Sequence, residues 1–149
     1  MNVSEFMTKD VISCTEDNTV EEAAKIMTEK GFSVMPVVNG SGELVGILTE
    51  SDFVGKDAKI PHALASIKVM FGQNFYFSDV EDIYKDSKKK KLSEVMSSDV
   101  KTVRADQTLS DVVSLMSHSH LKRIPVLDGK KLVGMITRKD LLRAYTKLA

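Results

Sequence analysis

One segment of this chain is written twice. Leu44-Val45-Gly46-Ile47-Leu48-Thr49-Glu50-Ser51-Asp52 and Leu132-Val133-Gly134-Met135-Ile136-Thr137-Arg138-Lys139-Asp140 share the frame L-V-G-apolar-apolar-T-x-x-D, about 90 residues apart. The match runs upstream, from Val3-Ser4-Glu5-Phe6-Met7 against Leu92-Ser93-Glu94-Val95-Met96 through Val37 against Val126. A repeat of this kind limits the fold more than any other feature. Each unit is too short to bury its apolar face well alone, so the two are expected to pack on each other and to set equivalent residues about a pseudo-twofold axis. Any site near that axis should come in pairs.

The elements of each copy follow from local signals. Asp10 to Cys14 is rich in β-branched residues and predicts a brief strand. Thr19-x-x-Glu22 fits a capping box, in which hydroxyl and carboxylate each satisfy a free backbone N–H, and Val20, Ala23, Ala24 and Met27 follow at helical spacing. Gly31 stops that helix. Val34 to Val38, a turn at Asn39-Gly40-Ser41-Gly42, and Leu44 to Leu48 predict a hairpin, after which Thr49 begins a helical turn. The second copy restates this with a strand at Val100 to Val103, a cap at Thr108-x-x-Asp111, a stripe of Leu109, Val112, Val113 and Met116, a hairpin through Asp128-Gly129, and a helix from Arg138 towards Tyr145. Pro36 and Pro125 fall early in strands, where a sheet edge would tolerate the missing N–H. The fold class expected is α/β (α+β), two β-α-β-β-α repeats packed through their sheets, with repeat 1 over residues 1–55, an insert over 56–90, and repeat 2 over 91–149. The insert is too long for a structureless loop. It predicts one helix from Pro61 through Leu64, Ile67 and Phe71 to Gly72, and another opened by Ser78-x-x-Glu81. Phe75-Tyr76-Phe77 between them should bury against the domain or a second subunit.

Composition narrows the function classes. Of 149 residues, 42% are hydrophobic, and 21 basic side chains balance 21 acidic ones. A core can form, and no global field points to nucleic acid or an anionic membrane. The single Cys14 leaves no disulfide framework within the chain and fits a reducing compartment, so a cytoplasmic location is expected. No apolar run reaches the roughly 20 residues of a spanning helix, and the N-terminus lacks the pattern of a secretory leader. His118, His120 and His62 are too loosely spaced to predict a metal site. Lys88 to Lys91 follows a run of acids and predicts an exposed helix end. Most methionines fall on apolar positions, with Met7 and Met96 the best placed to wall a cleft.

A threonine at a strand end with aspartate three residues later has two physical meanings. One is a capping box alone. In the other, a helix N-terminus offers free N–H groups, the hydroxyl holds a phosphate or sugar oxygen, and the carboxylate takes two adjacent ribose hydroxyls. Duplication preserves a cap as readily as a site, so spacing leaves both open.

The two L-V-G-x-x-T-x-x-D segments, together with the prolines in Val34-Met35-Pro36-Val37-Val38 and Arg123-Ile124-Pro125-Val126-Leu127, resemble the CBS domain, the cystathionine β-synthase type module. The tandem is similar to the paired arrangement called a Bateman module, over about residues 3–55 and 91–145. The resemblance implies a disc with two clefts for adenosine-containing ligands and frequent pairing of modules into a homodimer. Carried over, one cleft would use Thr49, Ser51 and Asp52 with Lys101, Leu121 and Lys122, and Asp52 would hold the ribose. The other would use Thr137, Lys139 and Asp140 with Ile12, Phe32 and Ser33, and Asp140 would take the ribose. The ligands implied are AMP, ADP or ATP ahead of S-adenosylmethionine or NAD.

The copies differ in charge. Repeat 2 has Lys122-Arg123 and Arg138-Lys139 where repeat 1 has Ser33-Val34 and Glu50-Ser51. Basic groups near a phosphate position favour anionic nucleotides, with Arg123 able to make bidentate contacts, unless these are solvated surface charges. Unequal sites are expected. The chain has no nucleophile with a base at reachable spacing and no P-loop, so a regulator acting in trans on a protein partner is expected rather than an enzyme. A structural or dimerisation module with vestigial clefts is the alternative.

Overall fold

The structure, a computed structural model, describes residues 1–53, 60 and 80–149. Pro61 to Gly72, the Phe75-Tyr76-Phe77 cluster and Ser78 lie outside them. The described elements run α1 (Val3–Phe6), β1 (Cys14–Thr15), α2 (Val20–Lys30), β2 (Val34–Val38), β3 (Leu44–Thr49), a 3-10 turn (Glu50–Asp52), α3 (Val80–Ser87), α4 (Leu92–Val95), β4 (Val103–Arg104), α5 (Leu109–His118), β5 (Arg123–Asp128), β6 (Lys131–Thr137) and α6 (Arg138–Lys147). They form a mixed α+β fold with two three-stranded sheets, ordered β1-β2-β3 and β4-β5-β6. Among the described residues no helix is long and apolar enough to cross a membrane.

The helix caps act as expected, whereas the apolar stripe of α5 is only partly buried, with Val112 inside and Val113 46% exposed. Thr19 Oγ1 accepts from Glu22 N–H at 3.2 Å while Glu22 Oε2 accepts from Thr19 N–H at 3.2 Å, and Thr108 and Asp111 repeat the arrangement. Gly31 closes α2 at φ 67°, a left-handed conformation in which a Cβ is strained. Two expectations need correction. The first strand of each copy is shorter and later than its β-branched residues suggested, beginning at Cys14 and Val103. Pairing decides this: β4 runs parallel to β5 only where Val103 meets Val126 and Arg104 meets Leu127. The second correction concerns the prolines, which lie in the central strands of both sheets. In β5 the reason is visible. Pro125 stands opposite Met135, and Met135 spends both backbone groups on Thr8, at 2.9 Å each. The Pro125–Met135 pair is therefore a non-hydrogen-bonded one, and the Pro125 nitrogen faces away from β6, on the side where β4 has not yet begun. A locally open edge lies inside a central strand.

The two compact units do not follow the repeat boundaries. One comprises Met1–Ser13, Val38–Leu44 and Asp99–Ala149, the other Cys14–Val37 and Val45–Ser98. The leader of repeat 1 thus belongs with the body of repeat 2. Val3 N–H donates to Gln107 O at 2.8 Å and Ser4 N–H to Ala105 O at 3.0 Å, and Val3 and Phe6 join a core of Val103, Val112, Ile124, Val126, Ile136 and Ala144. Conversely, Leu92 N–H donates to Asn18 O at 2.8 Å, Ile47 and Ser97 exchange backbone bonds of 2.9 and 3.0 Å, and Leu92 and Val95 enter the core of Val20, Met27, Met35, Val37 and Leu48.

This exchange accounts for the glycine of the repeated frame. A Cβ on Gly46 would collide with the thioether sulfur of Met96, with Met96 Cγ at 2.7 Å and Ser97 O at 3.0 Å. A Cβ on Gly134 would meet the Met7 sulfur, Met7 Cγ at 3.0 Å and Thr8 O at 3.0 Å. Neither glycine has a positive φ. Close approach of the leader backbone, not a special turn, requires them.

Candidate functional site

The repeated Thr-x-x-Asp segments sit where β3 and β6 end. Each strand is drawn into its sheet by a continuous apolar run, and Leu48 and Ile136 are fully buried just before the threonines. Each threonine is extended, and the chain then turns, into a single 3-10 turn after Thr49 and into α6 after Thr137.

In the first repeat, Thr49 N–H donates to Asp52 Oδ2 at 2.8 Å, and the Thr49 and Ser51 hydroxyls are paired at 2.6 Å. Asp52 is 7% exposed. The segment before the strand proline is brought to the same place, because Glu50 N–H donates to Ser33 O at 3.0 Å. Phe32 and Glu50 also line a cavity of about 390 Å3 with Ala24, Met27, Thr28 and Phe53, a size that suits a small ligand. A second cavity of about 430 Å3 lies along α2 and α3, lined by Lys25, Phe53 and Tyr84 among others. The two cavities share Ala24, Thr28 and Phe53, and Thr49, Ser51 and Asp52 line neither of them.

In the second repeat, Thr137 N–H donates to Asp140 Oδ2 at 2.7 Å, its hydroxyl donates to the same oxygen at 3.0 Å, and Asp140 N–H donates back to Thr137 Oγ1 at 3.3 Å. The other oxygen, Oδ1, accepts from the Thr8 hydroxyl at 3.0 Å and from Arg143 Nη2 in a close ion pair. Asp140 is 1% exposed. Arg123 pairs directly with Thr137 across β5 and β6, so the two side chains share a face of the sheet. Lys139 and Arg138 are exposed beside them.

Of the expected residues, one unit holds Phe32, Ser33, Thr49, Ser51 and Asp52. The other holds Ile12, Lys101, Leu121, Lys122, Arg123, Thr137, Lys139 and Asp140. Within the first unit, Ser33 meets the threonine turn of its own repeat, whereas the carried-over scheme grouped it with Thr137 and Asp140. Ile12 is 38% exposed and belongs to the unit of Asp140. Thr8 and Arg143 were not among the expected site residues. Arg143 could have been found from its spacing, three positions beyond Asp140 on a helix. Thr8 had no local signal, since its contact spans the length of the chain.

Comparisons with known proteins follow the same two segments. Residues 3–59 and 92–147 match the family model for the CBS domain. The chain is 30% identical to the uncharacterized protein MJ1426 of Methanocaldococcus jannaschii, over 97% of this chain and 90% of that one. Two further curated relatives are longer proteins, of which the chain spans 44% and 22%. Among solved structures it is similar to CBSX2 in complex with AMP, with a TM-score of 0.71, 22% identity, and coverage of 98% of this chain and 96% of that one. It is also similar to MJ1225 of Methanocaldococcus jannaschii, a protein likened to γ-AMPK, with a TM-score of 0.73, 28% identity, and coverage of 97% of this chain and 47% of that one.

Proposed function

From a chain that belongs to the CBS-domain family and carries that domain as a tandem pair, we propose a regulatory module that senses adenine nucleotides (AMP, ADP or ATP) at its Thr-x-x-Asp turns and signals in trans to a protein partner. The observation that carries this reading is the turn itself, present in both repeats with a buried carboxylate, a hydroxyl and a strand end held together. Vicinal ribose hydroxyls are matched by a carboxylate that can accept both. Ser33 O beside the first turn supplies a backbone wall of the kind that reads a base without a specific side chain. The AMP-bound CBSX2 structure supports the ligand class.

A homodimer in the cytoplasm fits this reading. Val113 on α5 and Leu142, Tyr145 and Leu148 on or just after α6 are large apolar side chains of one compact unit left 46 to 74% exposed, and such residues suit a second copy. Ligand that binds one geometry of the pair better would bias it, which is all that signalling needs.

The test is native mass spectrometry of freshly purified protein, followed by thermal scans with AMP, ADP, ATP, S-adenosylmethionine and NAD. A ligand at a hundred times its dissociation constant stabilises by about 2.7 kcal/mol, which such a scan resolves. Stabilisation by adenine nucleotides is the expected result. No shift from any of the five would favour a dimerisation module with vestigial clefts.

A further inference from the structure

We propose that Arg143 closes the ribose-accepting carboxylate of the second repeat, so that the nucleoside diol is taken by Asp52 of the first. The inference rests on the nucleotide-sensing function and assigns it to one repeat. Asp140 has no acceptor to offer. Its Oδ2 holds the backbone and hydroxyl of Thr137, and its Oδ1 holds both the Thr8 hydroxyl and the Arg143 guanidinium. A ribose diol needs two acceptor positions on a carboxylate, and here it would have to displace an ion pair whose acid is buried.

Asp52 is held differently. Its hydrogen bonds among the described residues all come from Thr49, and all reach Oδ2. The position that corresponds to Arg143 in the first repeat is Gly55, which carries no side chain to form such a pair. The basic residues of repeat 2 therefore do not make it the nucleoside site. One of them neutralises the group that nucleoside binding would use.

The experiment is isothermal titration of the full chain with AMP, on the wild type and on Asp52→Asn, Arg143→Gln and the double variant. Asparagine at 52 keeps an oxygen for the Thr49 N–H, and glutamine at 143 sits on a side chain that is 54% exposed. A cooperative urea transition in each variant would show that it folds, whatever its midpoint. The expected results are one AMP per chain in the wild type and a roughly tenfold or greater loss of affinity in Asp52→Asn, the worth of hydrogen bonds to a charged acceptor. Arg143→Gln should gain a second AMP, which the double variant keeps. Wild-type affinity in Asp52→Asn, two sites in the wild type, or no gain in Arg143→Gln would each overturn the assignment while leaving nucleotide sensing intact. Binding by Arg143→Gln but not by the wild type would also overturn it. An absence of AMP binding in both would defeat nucleotide sensing itself and this assignment with it.

Discussion

Replacing Gly134 by alanine tests whether the repeated L-V-G frame exists to admit the exchanged leader. The added methyl would strike the Met7 thioether and approach Thr8 O to 3.0 Å. The methionine side chain can move aside, but Thr8 O cannot easily, because Thr8 and Met135 are pinned by two reciprocal backbone bonds of 2.9 Å. Overpacking of this kind costs about 1 to 3 kcal/mol. Against it stands a gain of about 0.4 to 1 kcal/mol, because alanine restricts the unfolded chain and Gly134 needs no positive φ. The steric effect wins over most of these ranges, leaving a net loss of about 0 to 2.6 kcal/mol with its midpoint at about 1.3, which corresponds to roughly 3 to 5 °C in Tm for a chain of this size. Urea unfolding would measure it, with Gly40→Ala as the control, since nothing lies within 4 Å of a Cβ there. The double variant Gly134→Ala/Met7→Ala should be less damaged than the sum of its parts, because the two side chains compete for one space. If Gly134→Ala is as stable as Gly40→Ala, close approach is not why the glycine is there; an additive double variant would put the whole cost on the Thr8 carbonyl rather than on Met7.

Three other substitutions probe local contacts of the fold. Thr108→Ala should cost about 1 kcal/mol by removing the N-cap of α5. The backbone and hydroxyl of Thr108 hold Asp111 below the usual carboxylate range. That stability is present above the unfolded carboxylate's pKa and is lost as pH falls through the folded one, so the gap in urea midpoint between wild type and Asp111→Ala should be full at pH 7 and narrow in acid. An equal gap at both pH values would refute it. Burial, with a smaller contribution from the charge of Glu22, pushes the Cys14 thiol up. Its contribution is therefore intact below the ordinary thiol value of about 8.5 and declines as pH rises towards the folded value. Cys14→Ala should flatten the alkaline limb of the stability profile, and a disulfide reagent should label native Cys14 more slowly than the unfolded chain. Equal labelling rates would show that the thiol is not protected.

Most of the local structure was legible because local signals set it. Thr19, Thr108 and Gly31 bound their helices through bonds to residues three or four positions away, and the apolar spacing of Val20, Ala23 and Met27 gave the buried face of α2. The strand positions at Cys14 and Val103 were not legible, because a two-residue parallel strand is defined by its partner and not by its own composition. The prolines were misplaced for a related reason. Whether a missing N–H is tolerated depends on which side of the strand it faces, and for Pro125 that is decided by the bonds between Met135 and Thr8, far apart in sequence.

The same contact explains why the candidate site was only half legible. A duplicated chain offers two leaders and two bodies, and Val3-Ser4-Glu5-Phe6-Met7 and Leu92-Ser93-Glu94-Val95-Met96 are alike enough that either could pack on either body. The sequence pattern alone is satisfied by both arrangements. Exchange places Thr8 at Asp140 and Met7 at Gly134, so the leader that stabilises the second sheet also occupies one oxygen of its aspartate. Arg143 then completes a set of donors that no reading of the Thr-x-x-Asp frame alone could supply. Two copies of one motif thereby acquire different chemistry without any change in the threonine or the aspartate, and the difference lies in what surrounds the carboxylate.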